Sequence, residues 1–403
     1  MQFFTHTSDL ISLVSIMSFG LLLTLALARA FELPKGRALA LFVWHSLFSA
    51  IYTIYVSKFG GDMLGYYIMA QKGVFEFDIG THGIYFLSTM MYQAFSLSFL
   101  NMAMLYGLFG LVGLLAFDAS LRHVTEDKSP TVKLLATIIV FLPSVSFWSA
   151  GMGKDAIAFM AVGLALWASL NFSQRKTILI IAILSMLFVR PHMAGLMVLA
   201  VAMASLVSAQ VSLVQRVVIG GLALVAAAVM VPFALDYAGL GQGTSASADD
   251  VMAFIEKRQG YNLDGAGGID IAGMSLPMQM FTYLFRPLPF EARSIAAVAA
   301  SLDNMLLLYL FFVGIVAMSR KILPHPDVNS VFIWSYSMSS LMVLAMTTAN
   351  MGIALRQKWM FVPFLIVLLI SFVGSTQQDD EDEASEEASV FPDLELLEKQ
   401  RPQ

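Results

Sequence analysis

Phe141–Ala156 reads FLPSVSFWSAGMGKDA. It starts as an apolar run and ends in Gly-Met-Gly-Lys-Asp, and a second apolar run begins at once with Ile157. Lys154 and Asp155 therefore lie between two segments suited to lipid, with almost no hydrophilic loop around them. Charges so close to hydrocarbon are costly unless they are paired or face a cavity, and by default they mark a functional site. The other reading is a plain turn whose Lys and Asp reach the headgroups.

Composition sets the class. Of 403 residues, 58% are hydrophobic and 13% charged, and the mean hydropathy is +0.76. A soluble domain has no use for that much apolar surface, and repeated long apolar runs imply an all-α, polytopic membrane protein. With no cysteine there is no disulfide, thiolate ligand or thiol nucleophile. The six histidines fall in no paired helical spacing, so neither a metal nor any other cofactor is expected. The net charge of −5 hides a split: Asp379–Gln403 carries ten acidic and two basic residues, the rest 18 acidic and 21 basic. Residues 1–374 read as the transmembrane domain, and 375–403 as an acidic, disordered cytoplasmic tail.

A crossing needs roughly 20 apolar residues. Eleven spans can be read, at Leu10–Ala28, Ala38–Val56, Ala94–Phe117, Leu134–Ser149, Ala156–Leu170, Thr177–Val189, Ala194–Ala209, Val217–Leu235, Ile295–Met318, Val331–Thr347 and Trp359–Val373. The stretch Ile84–Phe117 is too long for one straight span; Ile84–Gln93 reads as an interfacial or re-entrant helix, and the count runs from 10 to 12. The first run has no basic segment before it and Arg29 after it, which predicts an uncleaved first span with the N-terminus outside and the C-terminus in the cytoplasm. Every inner turn is then basic, with Arg37, Arg122, Lys133 and Arg175 among its residues, although the outer side carries nearly as many basic groups.

Several chemistry-bearing residues fall on the outer side. Asp62 follows a Gly-Gly pair in GGDMLGYY and is either a reactive carboxylate or the cap of an interfacial helix. Arg190-Pro191-His192 follows an apolar run of only thirteen residues, which places Arg190 within membrane depth or at a snorkelling helix end. The long loop 236–293 has Gly-rich parts that suit a lid, contains the amphipathic piece Asp249–Arg258, and closes with FRPLPFEAR. Arg286, stiffened by neighbouring prolines, suits an anion site or a headgroup anchor. Arg356 and Lys358 open the last span, and His192 joins them as a binding candidate. Asp303 lies about 12 Å inside its span at 1.5 Å per residue. A carboxylate at that depth must be neutral or paired, with Arg190 and Arg356 as partners. Lys154, Arg190, Arg286, Arg356 and Lys358 thus provide positive charge for a phosphate whose tail lies in lipid. Asp62, Asp155 and Asp303 could activate a hydroxyl. No Walker motif or nucleotide fingerprint accompanies them, and no nucleic-acid partner is expected.

FLPSVSFWSAGMGKDA, the Arg-Pro-His turn, FRPLPFEA and the Arg-bearing start of the last span resemble bacterial envelope-polysaccharide proteins of the Wzy-like polymerase and GT-C glycosyltransferase kind. The resemblance implies a GT-C-like fold in the bacterial inner membrane and transfer of glycans from polyprenyl diphosphate on the outer face, without a metal in the polymerase branch. It also implies that Arg190, Arg286 and Arg356 hold the diphosphate and that Asp62 is the base in the GT-C branch. Two other classes stay open: a transporter or flippase using the same intramembrane charges, and a non-catalytic subunit of an export assembly docking other polysaccharide-assembly proteins through its acidic tail.

Overall fold

The computed structural model describes residues 6–207, 267–292 and 295–373, with a few isolated positions between 214 and 260. Among the described residues every named element is a helix. In chain order they are α1 Thr7–Ala30, α2 Lys35–Phe59, α3 Asp62–Lys72, α4 Thr81–Phe95, α5 Phe99–Val124, α6 Pro130–Val140, α7 Pro143–Ser149, α8 Lys154–Ser169, α9 Lys176–Val189 and α10 Pro191–Val207. There follow α11 Leu276–Phe285, α12 Ile295–Ser319, α13 Ser330–Thr347, α14 Met351–Gln357 and α15 Val362–Ser371, with short 3-10 turns at Pro289–Glu291 and Lys358–Met360.

Among the described residues, six helical segments are long and apolar enough to cross a membrane: α1, α2, α5, Pro130–Ser149, Ala297–Ser319 and α13. A seventh crossing arises if Met351–Met360 and Val362–Ser371, bent by 61°, form one span. Helices α9 and α10 are apolar but shorter, at 14 and 17 residues. The eleven-span reading is finer than this: most of Val217–Leu235, half of the loop 236–293 and the tail 375–403 lie outside the described residues.

The core is built around α5, whose side chains are buried on nearly every side. Gly107, Gly110 and Gly113 give it a stripe without side chains, and neighbouring backbones close onto that stripe. A Cβ on Gly113 would come within 2.5 Å of the Phe159 carbonyl, and one on Gly163 within 2.3 Å of the Gly113 carbonyl. Small residues at such a seam let helices pack by direct van der Waals contact, which matters where lipid supplies no hydrophobic drive for association. The contacts fix directions. Gly107 lies near Ala150 and His123 near Trp167, so α5 and α8 run parallel. Arg37 meets Asp118, while Ser49 meets Gly107, so α2 runs the other way.

The bundle therefore has two distinct polar ends. At one end the bidentate Arg37 guanidinium grips fully buried Asp118 at 2.6 Å. Arg122 and Lys133 line the same cavity there, and Arg175 stacks on Trp167 at 3.5 Å. Asp62, Lys154, Asp155, Arg190 and Arg356 gather at the other. Outward-facing Leu10, Ile11, Val14, Phe19 and Leu22 leave α1 a largely apolar, exposed surface between the two ends, as a lipid-facing helix requires.

Candidate functional site

Each charged residue of the Asp155 cluster stands at an interruption in a helix. Asp62 opens α3 after Gly60-Gly61, whose φ angles of 78° and 142° suit glycine. Lys154 and Asp155 open α8 after Gly153, at φ 150°. A Cβ there would also meet the Tyr66 ring at 3.0 Å. Arg190 ends α9, where Pro191 prevents the helix from continuing and starts α10. Arg356 sits in the last turn of α14, just before the bend into α15. Two of these starts, at α3 and α8, present positive helix N-termini beside the acids.

Asp155 is the hub. Its Oδ1 accepts a hydrogen bond from Arg190 Nη2 at 2.6 Å, and its Oδ2 lies 3.1 Å from Arg356 Nε. Arg356 Nη1 then donates to Asp62 Oδ2 at 2.9 Å. Lys154 Nζ donates to Thr81 Oγ1 at 3.0 Å, which ties α8 to the start of α4. The cluster thus holds three cations and two carboxylates, an excess of one positive charge. The Arg190 side chain is only 8% exposed, and its Nε is buried with no hydrogen-bond partner. Exposure rises outward: 22% for Arg356 and 59% for Asp62. Tyr52, Tyr66 and Trp148 wall the space, which at about 20 Å³ is closed down to roughly a single water. The buried Tyr283 hydroxyl, without a hydrogen-bond partner, lies within electrostatic reach of Arg190 and Asp155.

The other expected residues lie elsewhere. Arg286 does not reach Asp155; its Nε and Nη2 clasp Glu291 at 2.8 and 2.5 Å. Four residues separate the two, and the turn between them brings Glu291 back to the guanidinium. This clasp holds the Glu291 carboxyl below its ordinary range. Asp303 is not paired with Arg190 or Arg356 either, because Asp155 and Asp62 take those guanidiniums. Its electrostatic neighbour is Lys358, 2% exposed, which donates to Asn304 Oδ1. Asn304 Nδ2 in turn donates to the Pro287 carbonyl at 3.1 Å. Lys358, Asn304 and the Arg286 turn thus brace the segment that carries Arg356. His192 is half-buried in the first turn of α10 and does not line the Asp155 space.

Sequence reasoning gave no role to Thr81, Asn304, Glu291, Tyr52 or Trp148; of Tyr52, Tyr66 and Trp148, which wall the space, Tyr66 in GGDMLGYY and Trp148 in FLPSVSFWSAGMGKDA stood in stretches it singled out. It also missed Glu76 and Asp78, two exposed acids one residue apart. Their turn is fastened beside Arg190, since the Gly80 N–H donates to the Phe188 carbonyl at 2.7 Å. Chemically, paired guanidiniums with carboxylates in reach can hold an oxyanion and accept a proton from a neighbouring hydroxyl. Compared with protein-family models, with curated proteins and with solved structures, the chain matches none.

Proposed function

We propose that this chain is a membrane glycan polymerase or glycosyltransferase. It would act on polyprenyl-diphosphate-linked sugars at the outer face of the bacterial inner membrane, in exopolysaccharide or O-antigen-type synthesis. The observation that carries the reading is Asp155 held between Arg190 and Arg356, with Asp62 and Lys154, at one end of an apolar bundle. A diphosphate on a lipid tail is an anion delivered at membrane depth, and two guanidiniums can grip it bidentately. On binding, the diphosphate takes the place of Asp155 and Asp62 on Arg190 and Arg356. A freed carboxylate then receives the acceptor hydroxyl's proton as its oxygen attacks the anomeric carbon. The bond from that carbon to the diphosphate breaks, and polyprenyl diphosphate leaves with the bonding pair, its charge met by the arginines. In this reading the Asp155 end is extracytoplasmic, with the N-terminus outside and the C-terminus in the cytoplasm.

The test uses the purified chain in liposomes with a short polyprenyl-diphosphate oligosaccharide. The wild type should lengthen or transfer the glycan and release polyprenyl diphosphate. Arg190→Lys and Arg356→Lys should each lose about ten- to a hundredfold in rate, the worth of one charge-assisted contact at ~1.5–3 kcal/mol. Full activity in both variants would overturn the mechanism. Movement of the substrate across the bilayer with no covalent change would favour transport, the reading that buried Lys358 and Asp303 support.

A further inference from the structure

The opposite end of the bundle carries a second constellation. His123, in the last turn of α5, meets His325 and Asp327 from the turn between α12 and α13. His123 Nε2 lies 2.7 Å from Asp327 Oδ2, and the two imidazole rings stand 5.4 Å apart. One ligand atom from each of the three residues falls within 4.8 Å of the other two. Zn–N and Zn–O bonds of 2.0–2.1 Å set tetrahedral ligand atoms about 3.4 Å apart. Small side-chain rotations would therefore close the triad around one ion.

Three features favour a built site over a chance contact. The turn reads Leu323-Pro324-His325-Pro326-Asp327, so a proline precedes each of His325 and Asp327 and restricts the backbone that presents them. His123 is anchored on the buried central helix, its ring edge-on to Trp167 at 6.3 Å. It also lines a cavity of about 330 Å³ at this end of the bundle.

We propose that His123, His325 and Asp327 form a binding site for a borderline divalent cation of the Zn²⁺ class. Two imidazoles and one carboxylate suit Zn²⁺ and disfavour Mg²⁺, which prefers an all-oxygen octahedron. The ion would clamp the α12–α13 turn to the end of α5, and water would take the fourth position. The site is independent of the glycan chemistry, and its test needs no glycan.

The full chain, purified in detergent without a polyhistidine tag and stripped with chelator, is titrated with Zn²⁺ by calorimetry. One ion per chain should bind and raise the unfolding temperature, with excess Mg²⁺ failing to compete. His123→Gln and His325→Gln should each weaken binding at least tenfold, while His6→Gln leaves it unchanged. Co²⁺ titration of the wild type provides a readout that survives misfolding of the variants, because tetrahedral nitrogen–oxygen ligation gives intense visible bands. Absence of saturable Zn²⁺ binding, absence of those bands, or undiminished binding in both folded variants would overturn the site.

Discussion

Asp155→Ala is the perturbation that discriminates most sharply. It removes the carboxylate that receives Arg190 at 2.6 Å and Arg356 at 3.1 Å. Arg190, 8% exposed and with its Nε already unpartnered, then keeps a buried charge with no counter-ion. Breaking a buried pair in this way costs ~3–5 kcal/mol, and the 22% exposure of Asp155 puts the expected loss at the lower end, about 3 kcal/mol. Asp62→Ala is the internal comparison. It also removes a partner of Arg356, but Asp62 is 59% exposed, and such a pair is worth at most ~1 kcal/mol. The gap of about 2 kcal/mol is roughly thirtyfold in the ratio of folded to unfolded protein. Denaturant unfolding in detergent, followed by tryptophan fluorescence, measures both variants on one scale. The double variant Asp155→Leu with Arg190→Met should recover most of the loss, because no charge is left stranded. The reasoning is refuted if Asp155→Ala is no more damaging than Asp62→Ala, or if the double variant loses the sum of its single changes.

Two further outcomes follow from local geometry. Arg286 holds the Glu291 carboxyl below its ordinary value of 4.5, chiefly through their hydrogen bond, so the clasp stabilises the 286–291 turn above that value and loses its effect as pH falls through the lowered one. Once the intrinsic pH dependence of amide exchange is divided out, protection of this turn should therefore fall on acidification in the wild type, and Glu291→Gln should abolish the difference. Gly153→Ala combines a φ of 150° with a Cβ 3.0 Å from the Tyr66 ring and should cost ~1–2 kcal/mol or more; Gly36→Ala, where nothing lies within 4 Å, should be neutral in the same unfolding assay.

Much of the helical framework is legible because lipid demands long apolar runs. Leu10–Ala28 and Ala38–Val56 fall inside α1 and α2. The overlong Ile84–Phe117 does divide, but a few residues beyond the expected Gln93: Ser96, at φ 47°, ends α4, and α5 starts at Phe99. Run length alone misses breaks inside an apolar stretch. Leu134–Ser149 is split at Phe141-Leu142 with Pro143 opening α7, and the last span is bent by 61° where Val362-Pro363 opens α15. The site was half legible. The thirteen-residue run before Arg190 correctly signals an arginine away from bulk water, since its side chain is nearly buried. Pairing was not legible, because a span read as a line of letters does not reveal its rotation. Three carboxylates and several cations on one side allow many matches, and only packing decides that Asp155 takes both Arg190 and Arg356. The same limit hides His123 and His325, which no sequence spacing connects.

Backbone interruption and charge coincide in this fold, and that coincidence explains why the Asp155 cluster can exist in so apolar a chain. An unbroken helix satisfies its own backbone and offers lipid only side chains, whereas a broken one exposes N–H and C=O groups that hydrocarbon cannot satisfy. Here Gly60-Gly61, Gly153, Pro191 and the α14–α15 bend bring four breaks to one end of the bundle. Part of their need is met within the fold: the Gly60 N–H finds Val56, the Gly80 N–H finds Phe188, and the Arg190 N–H finds Met186. The first amides of α3 and α8 have no helical acceptor of their own, and they lie beside Asp62 and Asp155, whose charge favours that position. The carboxylates in turn make buried guanidiniums tolerable. Each element thus requires the next, and together they hold a closed polar site with one excess positive charge. A substrate anion entering there would exchange one set of oxygens for another around the same arginines. In the proposed reading the strongest competitor for that position is already part of the chain, and opening the Asp62–Arg356 contact, the more exposed of the two links, would come first.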